Sequence, residues 1–382
     1  MEQKESKKTI RVFALASFLN DLGSDIIYPL WPMFVTSALG APMVVLGFLD
    51  GLGEALVSLS QAASGYISDR IRKRKAFVWL GYVCGGCSRI GYSISSVWQH
   101  LVPFRILDRA GKIRSAPRDA IVADISTRQN RGHNFGLLRA MDNLGAACGI
   151  IISIVFFQAL GYKKLFLLAA IPSLIGAWLI FFLIKEPKPE GARIYKGISF
   201  KDISRDFRLY LFLSAIFALG SFSYSFLLIY AKESGFSVGF VPVLYLIFTV
   251  MAAVFSLPFG RLSDRIGRKK VLISAYLLWM LACGLLISYR GHWVIILVFI
   301  LYGLHKAALE PAQKTLVAEL APKDYRASAL GGFQMVIGLC ALPASFIAGM
   351  LWDKLGMFSP FYFSLGLTVL ATGILFLVKE TR

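Results

Sequence analysis

Long apolar runs alternate with short polar segments along the whole chain. A helix needs roughly 20 predominantly apolar residues to cross the hydrocarbon core of a bilayer. Twelve runs meet that length: 11–38, 43–65, 76–96, 99–125, 134–158, 164–185, 207–232, 239–259, 271–289, 293–319, 328–352 and 358–378. Numbered spans 1 to 12, they predict an all-α membrane protein of twelve transmembrane helices. Met1 to Lys8 is polar and the run behind it is too long for the apolar centre of a signal peptide, so span 1 is expected to stay in the mature chain.

The polar connections carry a repeat. Gly65-Tyr-Ile-Ser-Asp69-Arg70-Ile-Arg72-Lys73-Arg74-Lys75 follows span 2, and Gly260-Arg-Leu-Ser-Asp264-Arg265-Ile-Gly267-Arg268-Lys269-Lys270 follows span 8, displaced by 195 positions in a chain of 382. At the same offset Ala123-Asp124-Ile125 matches Ala318-Glu319-Leu320, and Arg131 and Gly136 match Arg326 and Gly331. Phe182-Leu-Ile-Lys-Glu186 mirrors Phe376-Leu-Val-Lys-Glu380. Repeats constrain architecture before local features do. Two six-helix bundles in parallel repeat are expected, 1–185 and 207–382, joined by a polar cytoplasmic linker at 186–206 that contains Pro187, Pro189 and Gly191.

Composition agrees with the pattern. Hydrophobic residues make up 57% of the chain and charged ones 16%, with mean hydropathy +0.65, against roughly 25% charged residues in soluble domains. The net charge of +19 would invite a nucleic-acid partner, yet its distribution needs none. Of 41 Lys and Arg, 27 fall in the termini and every second connection, and only 5 in the opposite ones. The positive-inside bias places both termini in the cytoplasm of a cell inner membrane. Cys84, Cys87, Cys148, Cys283 and Cys340 all lie within spans without a histidine array, so neither a disulfide framework nor a metal site is expected, and no cofactor.

The loop phrase carries the signature G-x-x-x-D-R-x-G-R-K-K once per half, in full in the second copy and with a departure in the first, and by it the whole chain resembles the major facilitator superfamily of secondary transporters, bacterial twelve-helix type. Asn20-Asp21-x-x-Ser24-x-x-Ile27-Tyr28-Pro29 and Ala116-Pro117-Arg118-Asp119-Ala120 add to the likeness. The resemblance implies two bundles rocking about a central site to give alternating access, and a cytoplasmic gate at the repeated loops. Gating is thereby assigned to Asp69, Arg70, Arg74 and Asp124 in one half and to Asp264, Arg265, Arg268 and Glu319 in the other, with the two span-end acids as partners of the loop arginines. The first copy departs from the pattern, with Arg72 where the second has Gly267; a positive φ there would suit only glycine, so the first turn is expected to be built differently. Related drug antiporters carry a Gly-Pro pair in span 5, where this chain has Gly149-Ile150.

An ionised side chain at the bilayer centre costs roughly 2.5–3.5 kcal/mol on the insertion scale, so each such group needs a partner, water or a task. Nine basic residues lie within spans, seven of them in the N-terminal half: Arg89, Arg105, Arg109, Lys112, Arg114, Arg118 and Arg139, with Lys306 and Lys314 in the other. Helical spacing gathers Asp21 with Asp25, Asp50 with Glu54, and Arg105, Asp108, Arg109 and Lys112 onto single faces. Guanidinium groups present paired donors to carboxylates and phosphates. Arg105, Arg109, Lys112, Tyr28, Asp50 and His305 are therefore expected to meet substrate, and Asp21, Asp25 and Glu54 to carry a coupling proton as buried carboxylates. Asp108, Arg114, Arg118, Asp119, Arg139 and Asp142 are expected to pair within the bundle. Gly145 and Gly149 would let span 5 approach a neighbour closely.

These residues favour a proton-coupled, monomeric transporter of a small organic solute with an anionic group. A proton-driven multidrug antiporter for cationic amphiphiles is the alternative, in which Asp25, Asp50 and Glu54 attract the cation. An enzyme is not expected: the four histidines are scattered and no phosphate-binding G-x-x-x-x-G-K-[ST] loop is present.

Overall fold

The computed structural model describes residues 3–71, 73–127, 130–185, 204–321 and 326–379, and among them every ordered segment is helical. All twelve predicted spans are occupied by helix. Most of the linker 186–206 lies outside the described residues, as do Arg72 and the side chain of Asp69.

Among the described residues, seven helices are long and apolar enough to cross a membrane. One of them, Arg131–Leu183, contains spans 5 and 6 and is broken at Gly161, whose φ of 65° is a left-handed value that glycine adopts readily. Spans 1, 4 and 7 are interrupted where continuous helices were expected. Span 1 runs as Gln3–Ile27, then turns through Tyr28-Pro29-Leu30 into a short helical stretch, Trp31–Met33, and a π turn, Phe34–Ala38. Pro29 explains the break, because it has no amide to donate and crowds the residue before it. Span 4 is Leu101–Ala110, a 3-10 segment Gly111–Arg114, and Ser115–Asp124, with Pro117 tolerated in a first turn whose amides lack helical partners. Span 7 is Arg205–Gly220 and Ser225–Glu233.

The chain gathers into two compact units, Met1–Gly40 with Leu56–Tyr195, and Ala41–Ala55 with Lys196–Arg382. In the first, span 5 lies against span 1 as closely as backbone permits. A Cβ on Gly145 would run into the Phe18 carbonyl, and one on Gly149 would stand 3.0 Å from the Ile26 amide nitrogen. In the second, the helix Met43–Ile71 begins with its orphan amides capped by Asp353, which accepts from Met43 N at 3.1 Å and Val44 N at 2.8 Å. A carboxylate there also complements the helix dipole. Many exposed side chains along the spans are apolar: Val155, Trp178, Phe182, Leu257 and Val369 are all more than half exposed. Such faces belong in lipid, and Tyr289 and Trp293 at the ends of spans 9 and 10 suit the aromatic belt of the interface.

Candidate functional site

The break in span 1 presents two rings to span 4. The Arg105 guanidinium lies over Trp31, 4.5 Å from the ring centroid, and Arg109, one turn along, lies over Tyr28 at 5.1 Å. Trp31 is backed by Tyr92 at 4.9 Å, and Tyr92 donates its hydroxyl to the Phe104 carbonyl at 3.3 Å. Both arginines are at least nine-tenths buried, as is Asp108, whose Oδ2 is 3.5 Å from Arg109 Nε. Ser88 reaches the other Asp108 oxygen at 3.5 Å. Desolvated cations over aromatic faces gain about 2 kcal/mol or more each, which helps to hold the stripe in place. Lys112 is half-buried in the 3-10 segment beyond. Asp25 is buried one turn before the break beside Ser24, and Asp21 accepts from Asn20 at 2.9 Å.

Two other cations fasten the same unit. Arg89 is 2% exposed and joins three spans: it donates to the Asn20 carbonyl and the Ala169 carbonyl, each at 3.1 Å, and to Ser173 Oγ. Nothing in the span 3 pattern named those partners; the available signal was a lone arginine among Gly85, Gly86 and Gly91. Arg118 reaches Ser17 at 2.7 Å, Asp119 at 2.9 Å and Asp142 at 3.9 Å. Arg114, expected in an ion pair, instead covers the Tyr82 ring at 5.1 Å and donates to the Gly111 carbonyl at 2.9 Å. Its place in the 3-10 turn brings a carbonyl within reach before any carboxylate. Arg139, also expected to be paired inside the bundle, is exposed one turn from Asp142.

The second unit is built on rings. His305, expected to meet substrate, is 1% exposed, with Nδ1 2.8 Å from the Ala275 carbonyl and the ring among Phe217, Trp279 and Tyr302. Nδ1 is thus met by a backbone carbonyl and the ring faces by aromatics, which places the side chain in the packed interior of its own unit. Asp50, likewise expected at the substrate, accepts from Ser223 at 2.7 Å and from Ser225, at the break of span 7. Glu54 was expected as a buried carboxylate and is exposed. Its charge acts on Lys306, as does that of Glu310, and the Lys306 ammonium group lies 5.6 Å from the centroid of the Tyr302 ring. Sequence spacing put Glu54 on the Asp50 stripe; the packing of the neighbouring helices decided which of the two is covered.

At the loop ends, Arg74 binds Asp124, and Arg268 binds Asp264 at 2.9 Å and Glu319 at 3.0 Å. Arg70 and Arg265 are exposed.

The comparisons with known proteins follow the fold. The model of the Major Facilitator Superfamily matches residues 13–252 and again 210–382. An uncharacterised MFS-type transporter of Methanocaldococcus jannaschii is 37% identical over 358 residues, covering 91% of this chain and 89% of the relative. Multidrug resistance protein MdtG of Salmonella paratyphi A is 25% identical, covering 81% of this chain and 80% of its own. Among solved structures, the nucleoside transporter NupG has a TM-score of 0.81 at 13% identity, covering 97% of this chain and 100% of that one, a likeness of fold alone. The chain belongs to the major facilitator superfamily; it is an integral membrane transporter and not an enzyme.

Proposed function

We propose that the protein is a proton-coupled secondary transporter that moves a small organic solute bearing a carboxylate or phosphate by alternating access between its N- and C-terminal bundles. The observation that carries this reading is the pair of buried guanidinium groups, Arg105 and Arg109, set one turn apart on aromatic faces. A fork of N–H donors in a low-dielectric setting matches two oxygens of a carboxylate or phosphate. Asp21 and Asp25, on the adjoining face of span 1, are the proposed proton carriers, and Glu54 with Lys306 a second charged pair whose balance changes with protonation. The ion pairs at Asp124 and Glu319 act as the gate, on a cytoplasmic face that also holds both termini.

The test is a melting-temperature screen of purified protein, because a ligand that binds only the folded state raises stability by mass action. Organic carboxylates or phosphates should stabilise the protein, and Arg109→Ala should lose at least tenfold in apparent affinity; stabilisation that survives in Arg109→Ala and Arg105→Ala would overturn the assignment. A second reading, prompted by the 25% identity to a multidrug resistance protein, is efflux of lipophilic cations. Stabilisation by such cations, lost on Glu54→Gln, would replace the first reading with this one.

A further inference from the structure

A cavity of about 660 Å³ opens where span 1 begins and where spans 4 and 5 are joined. Its volume lies within the range of small-molecule pockets, roughly 300–1,000 Å³. Lys7 and Arg11, four residues apart on one helical face, supply its positive groups and His133 an imidazole; Ile10, Ile125 and Leu137 supply an apolar wall. No carboxylate is among the described lining residues, and among the described residues none of Lys7, Arg11 and His133 forms an ion pair. Two of the lining asparagines are held by hydrogen bonds. Asn130 Oδ1 accepts from the Thr127 amide at 2.8 Å, and the buried Asn134 amide donates to Ser126 Oγ at 2.8 Å.

Depth narrows the ligand. The lining residues straddle the boundaries at which spans 1 and 5 enter the apolar phase, so the basic groups lie at headgroup level and the apolar ones just inside it. A basic pocket beside transmembrane helices at that level is a setting in which phosphate headgroups bind, each Lys or Arg near the surface contributing on the order of 1 kcal/mol. We infer that this cavity binds a phosphate-bearing anion at the membrane surface, at a site separate from the span 1 and span 4 cluster. Phosphatidylglycerol and free phosphate share that chemistry.

The experiment measures the melting temperature of the full chain in a non-ionic detergent against added phosphatidylglycerol, phosphatidylcholine or inorganic phosphate. The expected result is saturable stabilisation by phosphatidylglycerol and not by phosphatidylcholine, weakened in high salt, with apparent affinity at least tenfold lower in the Lys7→Gln/Arg11→Gln variant. Stabilisation by inorganic phosphate to the same extent, with the same loss in the variant, supports the anion site and assigns it to a soluble ligand. An equal response of the wild type and the variant to phosphatidylglycerol, or an equal response of the wild type to phosphatidylcholine, overturns the site. If the double variant does not fold, Arg11→Gln and His133→Gln are measured singly, and an unchanged response in both overturns it equally.

Discussion

The two copies of the repeated loop end in the same ion pair by different routes. In the second half the helix ends at Ile266, Gly267 turns the chain in a single residue at a φ of 105°, and Arg268 opens the next helix. In the first half the helix ends at Ile71 and the next opens at Arg74, preceded by Lys73 at a φ of −122°. Each opening arginine then holds the acid that ends a later span of its half, Asp124 or Glu319. The following lysines also correspond: Lys75 lies over Phe181 at 5.5 Å, and Lys269 over Phe376 at 5.8 Å. Equivalence in space therefore runs Arg74 with Arg268, one position off the alignment of the letters, which pairs Arg74 with Lys269. The lesson is that the arrangement is maintained by what the first residue of the helix can reach, and the length of the turn adjusts to whether a glycine is present.

The interiors differ as well. The N-terminal half holds buried arginines, whereas the aromatic cluster around His305 does the equivalent work in the other. Removing a charged donor should therefore cost most. Arg89→Ala leaves the Asn20 and Ala169 carbonyls and Ser173 short of a donor, and since hydrogen bonds to charged groups contribute roughly 1.5–3 kcal/mol each, a loss of about 3 kcal/mol is expected, read as a fall in melting temperature. A change under about 1 kcal/mol would show that the arginine is not a fastener.

Next in size is Gly267→Arg, which imposes on the second turn the residue of the first. Holding a non-glycine residue at positive φ costs about 1–3 kcal/mol, and insertion of one residue after position 267 should recover part of it by allowing the longer turn. If the substitution is neutral, the two turns are not different solutions to one problem. The smallest stability effect is expected for Arg74→Ala and Arg268→Ala. Their partners are partly exposed, 56% for Asp124 and 31% for Glu319, and such pairs contribute about 0–1 kcal/mol. Transport assays should respond more than melting does, and to a similar degree in both variants; a response in only one would break the equivalence.

Much of this was legible beforehand because a bilayer leaves few options: an apolar run of span length must be helical, since its backbone groups have no other partners. The helix-breaking residue Pro29 and the close-packing glycines Gly145 and Gly149 were likewise visible as letters. The span 4 stripe was legible through its spacing, but the rings that support it were not, because Tyr28 and Trp31 reach Arg109 and Arg105 only once span 1 has bent. His305 and Glu54 show the other limit. Both read as polar groups in apolar helices, and nothing in their own helices says which one is enclosed.

The sequence by itself determined the apolar spans, their duplication and the asymmetry of charge, for these follow from length, hydropathy and repetition. Only the tertiary structure decided that Arg89 joins three spans, that Asp50 is held by Ser223 and Ser225, and that Arg74 rather than Arg70 holds Asp124. Those are contacts between residues far apart in the chain, and they depend on where a turn stops, a helix breaks or two backbones touch, which no local periodicity records.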